Sequence, residues 1–140
     1  MSKKKNSIVL LAIKPKYAEA IYAGKKRWEF RKAPPPVPGW VFLYESAPVS
    51  AITGKVFLGA KIQGNPGAVW GFARTQKTIG GSVGIAQKVF LAYVGKASSV
   101  AACACFFAEK FPNPISLTTG VRPPQNWGRY FVEESEGSHG

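Results

Sequence analysis

The sequence has no aspartate, a single histidine and only two cysteines among its 140 residues. The histidine, His139, lies in the C-terminal run EESEGSHG, whose composition is typical of disorder. Cys103 and Cys105 are two residues apart in a predicted strand, where their parallel side chains disfavour a mutual disulfide. We therefore expect no metal site and no cofactor, and two reduced thiols that act as small apolar residues in a cytoplasmic protein.

Long hydrophobic runs are also absent. The apolar run Ile8–Ile13 ends at Lys14, so it is too short for a signal peptide or a membrane span, and we expect no membrane partner. The sequence also lacks a phosphate-binding P-loop, a dinucleotide-binding glycine fingerprint and a serine-centred nucleophile elbow. These absences argue against three common classes of enzyme.

What the sequence does have is positive charge. The 19 lysines and arginines outnumber the 7 acidic residues and give a net charge of +12. Residues 1–32 alone carry +8, residues 33–132 carry +7, and the last eight residues carry −3. A chain of this kind attracts polyanions, so RNA or a nucleotide is the expected partner and DNA is a further possibility. A merely soluble basic domain is the alternative.

The order of the predicted elements favours one α+β domain over residues 8–132. We expect a disordered basic arm over residues 1–7 and a disordered acidic tail over residues 133–140. Strands are predicted in IVLLAI, KRWEFRK, WVFLYES, ITGKVFLGAKI and SSVAACACFFAEKF, and helices in KPKYAEAIYAG, residues 68–78 and residues 83–94. Short strands with proline- and glycine-rich connections indicate a small β-barrel with flanking helices.

The run AGKKRWEFRK concentrates five cations, one glutamate and two aromatic rings in ten residues. In a strand, the two rings would face the core, and Glu29 would share the opposite face with Arg27 and Arg31. A carboxylate between two guanidinium groups stays ionised and orients them toward a phosphate or a base edge. The alternative is an exposed ladder of ion pairs that contributes little.

The same run fits the pattern G-x-K-x-x-E-x-R, with Gly24, Lys26, Glu29 and Arg31 at the fixed positions. With this signature the chain resembles the ASCH family of the PUA-like superfamily. The runs IKPKYAEAIYAGKKRWEFRK, VFLYESAPVSAITGKVFLG, PISL and PPQNWGRY extend the resemblance over nearly the whole chain. The resemblance implies a small PUA-like β-barrel with flanking helices and a basic cleft beside the first helix that takes RNA, a nucleotide or a modified base.

Nine residues are candidates for contacts in that cleft. Two of them, Lys14 and Lys16, stand at the start of a predicted helix, where cations are unfavourable unless an anion binds there; two solvated lysines are the alternative. A stacking surface is expected from Tyr17, Trp127 or Tyr44, with a core position as the alternative. The candidates are Lys14, Lys16, Tyr17, Lys26, Glu29, Arg31, Lys32, Ser46 and Trp127, whereas Trp28, Phe30, Trp40 and Phe42 are predicted core residues.

Whether the chain is an enzyme stays open at the level of sequence. One branch of the family resembles an amidohydrolase acting on N4-acetylcytidine, in which the signature lysine activates a threonine and a second carboxylate assists. Lys26 matches the lysine, but Glu29 stands in place of the threonine, and neither Glu45 nor Glu109 aligns with the carboxylate. Lys26 and Glu29 could instead form an acid–base pair in such a hydrolase or in a ribonuclease. A transcription-associated DNA-binding or adaptor protein is a third possibility.

Overall fold

The computed structural model describes residues 4–76 and 83–134 and contains seven strands and three helices within them. In chain order these are β1 (Lys4–Ile13), α1 (Pro15–Tyr22), β2 (Trp28–Arg31), β3 (Gly39–Glu45), β4 (Ala51–Leu58), β5 (Ile62–Gly64), α2 (Pro66–Thr75), α3 (Gln87–Val94), β6 (Val100–Ile115) and β7 (Trp127–Glu134). Among the described residues, no helix is long and apolar enough to cross a membrane.

The seven strands form one sheet in the order β2-β6-β4-β3-β1-β7, and β5 pairs with β6 beside this path. Strands β1 and β3 are parallel, and the other pairs are antiparallel. This mixed architecture confirms the predicted α+β class. The sheet is not closed, because β2 and β7 end the path without pairing with each other, so the predicted closed barrel is wrong.

The open side of the sheet is bridged by a side chain instead of a backbone ladder. Arg31, at the end of β2, donates from Nη2 to the Ala12 carbonyl oxygen of β1 at 2.7 Å and from Nη1 to Asn126 Oδ1 at 2.8 Å. The position of a bridging guanidinium depends on residues far apart in the chain. Local strand patterns therefore could not distinguish this open sheet from a barrel.

The two larger of three hydrophobic cores lie on opposite faces of β6. One core packs α1, through Ala18 and Ile21, against strands β1, β3 and β4. The other packs α2 and α3 against Trp28 and Phe30 of β2. Because successive side chains of a strand alternate, Glu29 points away from the core that holds its two aromatic neighbours.

The first helix follows its predicted signals. Pro15 occupies the first turn, where its missing N–H costs no hydrogen bond, and Gly24 follows the helix with a φ of +74° that suits glycine. Helix α2 begins two residues before the predicted start, because the Asn65 side chain caps it by accepting from the Gly67 and Ala68 amides. Helix α3 begins only at Gln87.

The strand ends differ from the predicted domain boundaries. Strand β1 begins at Lys4, so residues 4–7 belong to the sheet and not to a disordered arm, and β7 extends to Glu134. The rest of the predicted arm and tail, residues 1–3 and 135–140, lies outside the described residues, as does 77–82. Strand β6 continues through Pro112 and Pro114. A proline is tolerated there because, among the described strands, only β4 pairs with this half of β6.

Candidate functional site

Three signature residues form a buried ionic network at the end of β2. Glu29 Oε1 accepts a hydrogen bond from Lys26 Nζ at 3.1 Å, and Oε2 accepts from Arg31 Nη2 at 2.8 Å and Nε at 3.2 Å. Lys26 also donates to the Trp28 carbonyl oxygen. Only 2% of Lys26 and 5% of Glu29 is exposed, so this is not the exposed ladder that the alternative interpretation of the run predicted.

The partners of Glu29 differ in one respect from the sequence prediction. Arg31 contacts the carboxylate as expected, but the second cation is Lys26 and not Arg27. Arg27 donates from Nε to the Gly24 carbonyl oxygen at 3.2 Å. The turn after α1 thus brings Lys26 back over the strand, which strict alternation along β2 could not predict.

The network keeps the carboxylate ionised. Burial by itself would raise the pKa of Glu29, but the charges and hydrogen bonds of Lys26 and Arg31 outweigh it and lower the pKa to about 2. A carboxylate with so low a pKa is a weak proton acceptor at neutral pH. Glu29 is therefore better suited to positioning Lys26 and Arg31 than to acting as a general base.

This low pKa predicts how stability depends on pH. Because the folded-state pKa of about 2 lies below the ordinary 4.5, Glu29 stabilises the fold above pH 4.5, and this contribution disappears as the pH falls toward 2. The expected loss is on the order of 3 kcal/mol. Urea unfolding between pH 6 and pH 2 measures it, and Glu29→Gln should flatten the curve. An equally steep curve for that variant would assign the pH dependence to other groups.

A cavity of about 370 Å³ lies directly against the network. Its polar side carries six of the nine candidate residues, which are Lys14, Tyr17, Lys26, Glu29, Arg31 and Ser46. It also has an apolar and aromatic wall. That wall includes Ile85, Val89 and Tyr93, from α3 and the segment before it. A concave site with an apolar wall and a few fixed polar groups is typical of a small-molecule or nucleobase pocket.

The other three candidates do not line this cavity. Lys16 is exposed on α1 with its ammonium 5.0 Å from the Tyr17 ring centroid, and Lys32 is exposed with its ammonium 4.9 Å from the Tyr93 ring centroid. Trp127 is half-buried and packs against the core beneath α1. Lys16 and Lys32 flank residues of the cavity wall, so they can contribute charge at its rim but no direct lining.

Two aromatic predictions were wrong, in opposite directions. Tyr44 is 8% exposed and packs in a small core with Leu10 and Ile52, so it is not available for stacking. Trp40 was expected in the core, yet 45% of it is exposed. Trp28 and Phe30 are buried as predicted, and Phe42 packs beside the core of Tyr44.

Sequence reasoning missed the residues that other elements bring to the site. Asn126 accepts from Arg31 and donates from Nδ2 to the Ala33 carbonyl oxygen at 2.9 Å, and Gln125 beside it lines the cavity. Tyr93 accepts a hydrogen bond from the Lys32 amide at 2.9 Å through its hydroxyl. Gln125 and Asn126 fall within the run PPQNWGRY. The resemblance of this run to the ASCH family was the signal that could have pointed to the two residues.

The two cysteines are free thiols, buried beneath the network. Burial raises the pKa of Cys103 to about 11 and that of Cys105 to about 12, so both stay protonated at neutral pH. Neither thiol is thus an activated nucleophile. Residues 4–76 and 83–134 contain no group of three or more His, Cys, Asp or Glu side chains that could hold a metal ion.

Comparison with known proteins identifies the domain. Residues 11–64 match the model of the ASCH domain. A curated ASCH domain-containing ribonuclease from Zymomonas mobilis is 32% identical over 63 residues, which cover 44% of this chain and 43% of that protein. The match therefore spans less than half the length of this relative.

Solved structures extend the similarity to most of the fold. The crystal structure of ASCH from Zymomonas mobilis superposes with a TM-score of 0.72 at 22% identity, covering 86% of this chain and 85% of that one. A mutant of the same protein gives a TM-score of 0.73 at 23% identity, covering the same shares. The signature and the family model agree on residues 11–64, which match the ASCH domain as the sequence predicted, and the solved structures share the fold.

Proposed function

We propose that this ASCH domain binds single-stranded RNA and holds one base in the cavity beside Lys26, Glu29 and Arg31. The observation that carries the proposal is that a buried ionic network and an apolar wall line the same cavity, about 370 Å³ in volume. The apolar wall suits the faces of a base, and the fixed polar groups suit its edge. The match to a protein named as a ribonuclease supports RNA as the ligand class.

The contacts divide by chemistry. Exposed Lys14, at the start of α1, is placed to meet a phosphate at the mouth of the cavity. The half-buried ring of Tyr17 and the exposed ring of Tyr93 offer stacking surfaces. Ser46 supplies a hydroxyl for a base edge. Arg31 has a positioning role. Its guanidinium is hydrogen-bonded to Glu29, Ala12 and Asn126, so it holds the wall of the cavity in place.

Reversing one charge at the cavity mouth should weaken RNA binding. We expect Lys14→Glu to reduce the affinity for a short, mixed-sequence single-stranded RNA about tenfold and to lower the salt dependence of binding. Lys88→Glu is the matched control, since Lys88 is an exposed lysine that does not line the cavity. Fluorescence anisotropy at several salt concentrations measures both variants. Equal losses in the two variants would show that net charge alone drives binding.

Competition in the same assay separates the other partner classes. Duplex DNA that displaces the RNA at equal concentration would favour the DNA-binding or adaptor alternative.

We also place the protein in the cytoplasm, a proposal supported by its two protonated, unpaired thiols.

The second candidate function is RNA hydrolysis, which the name of the Zymomonas mobilis relative favours. Lys26 is the candidate residue, because it lines the cavity and its ammonium is held in place by Glu29 and the Trp28 carbonyl. Its charge could stabilise the developing negative charge on a phosphoryl group. RNA recovered intact after long incubation would favour a module that only binds RNA. Shortened RNA that appears with the wild-type protein and not with Lys26→Gln, which removes the charge, would establish the nuclease.

A further inference from the structure

A second, smaller cavity shares Lys26 with the first. Its volume is about 180 Å³, and its lining includes Arg27, Gly24 and Phe107 beside Lys26. Neither the signature nor the proposed base pocket accounts for Phe107, which lies on β6. Because Lys26 lines both cavities, they are neighbours, with this buried side chain between them.

Phe107 is presented to solvent by an irregularity of strand β6. Between Phe106 and Glu109 the strand holds one residue more than β4 holds opposite, which is a β-bulge. Phe107 adopts a φ of +55° at this bulge, a conformation that is strained for a bulky side chain, and 75% of it is exposed. Strained backbone of this kind is typical of functional sites, and here the strain places an aromatic ring outside the core.

The surroundings of Phe107 match the surface that single-stranded nucleic acids use. Trp40, also exposed, lies with its ring centroid 6.5 Å from that of Phe107, and the ammonium of Lys55 lies 4.8 Å from the Trp40 centroid. Arg27 adds a guanidinium at the cavity, and the one hydrogen bond described for its side chain leaves the two terminal amino groups for a ligand. Aromatic rings interleaved with cations bind successive bases and phosphates of a strand.

We propose that the smaller cavity is a second nucleotide subsite, in which a base stacks on Phe107 while Arg27 binds the phosphate that joins it to the nucleotide in the main cavity. This inference rests on the proposed function, because it assumes RNA in the main cavity. It also names the substrate class: a strand of at least two nucleotides, extending toward Trp40, and not a free nucleoside.

The test compares ligands of two lengths on matched variants. Calorimetry measures the affinity of the intact protein for nucleoside 5′-monophosphates and for a short, mixed-sequence single-stranded RNA. We expect Phe107→Ala to weaken RNA binding by about 5- to 150-fold while leaving mononucleotide binding unchanged. Phe131→Ala, which removes another exposed ring (71% exposed) from β7, is the control and should change neither affinity.

Each result distinguishes the two proposals. If mononucleotides bind as tightly as RNA, or if Phe107→Ala leaves RNA binding intact, the second subsite is wrong while the main cavity stands. If wild-type protein binds neither ligand, the proposed RNA function itself fails, and the subsite fails with it. Arg27→Gln gives an independent check, since it should weaken RNA binding and spare the mononucleotides.

Discussion

Replacing Glu29 by alanine should lower the free energy of unfolding by about 3–5 kcal/mol. The substitution leaves the ammonium of Lys26, 2% exposed, and the guanidinium of Arg31, 13% exposed, without their carboxylate partner. A buried charge without a partner is costly, because the charged group has lost its hydrating water and gains no ion pair in return. The change is measured by urea denaturation at neutral pH.

Two further variants separate charge from general effects. Glu109→Ala removes a carboxylate that is 60% exposed and 4.0 Å from Lys55, and it should cost less than about 1 kcal/mol. Glu29→Gln keeps the shape of the side chain but not its charge, so its cost should fall between the other two. If Glu29→Ala costs no more than Glu109→Ala, the network does not stabilise the fold.

Substituting Gly84 by alanine should disturb the site from the other side. A Cβ atom at this position would lie 2.2 Å from Lys26 Cγ and 2.7 Å from its Cα, and the φ of +76° is unfavourable for alanine. The backbone around Gly84 must therefore shift, and Ile85 in the cavity wall must shift with it. We expect a loss of about 2 kcal/mol or more in unfolding free energy and at least tenfold weaker RNA binding.

The matched control for this substitution is Gly120→Ala. Gly120 also has a positive φ, +90°, but nothing lies within 4 Å of a Cβ atom built there. It should show the cost of the backbone conformation, about 1 kcal/mol, without the loss of RNA affinity. Equal RNA affinities for the two variants would mean that close packing of Gly84 on Lys26 is not needed for the site.

The sequence predicted those features that depend on local chemistry. Pro15 and Gly24 mark the ends of α1, and the alternation in WEFR separates two core rings from Glu29. The prediction of an ASCH domain followed from residues within one such stretch. Six of the nine candidate residues line the main cavity. Most of these six lie close together in the sequence, on α1, β2 and the turn between them, so local patterns were enough to group them.

Features that depend on distant parts of the chain were not predictable in this way. The gap that Arg31 bridges involves Ala12 and Asn126, and no local pattern in β2 encodes those partners. The apolar wall from α3 and the bulge at Phe107 arise from packing and register. Trp40 was expected in the core, but its position in β3 faces outward, and which face of a strand is covered depends on the rest of the fold.

The most direct test of the central claim is to locate the RNA on the protein. Titration of isotope-labelled protein with a short single-stranded RNA, followed through backbone amide chemical shifts, reports the contact surface residue by residue. We expect the largest changes at Lys14, Tyr17, Ser46 and Tyr93, around the main cavity. Changes confined to exposed lysines away from it, such as Lys88 and Lys96, would contradict the account and leave only a basic surface that attracts polyanions.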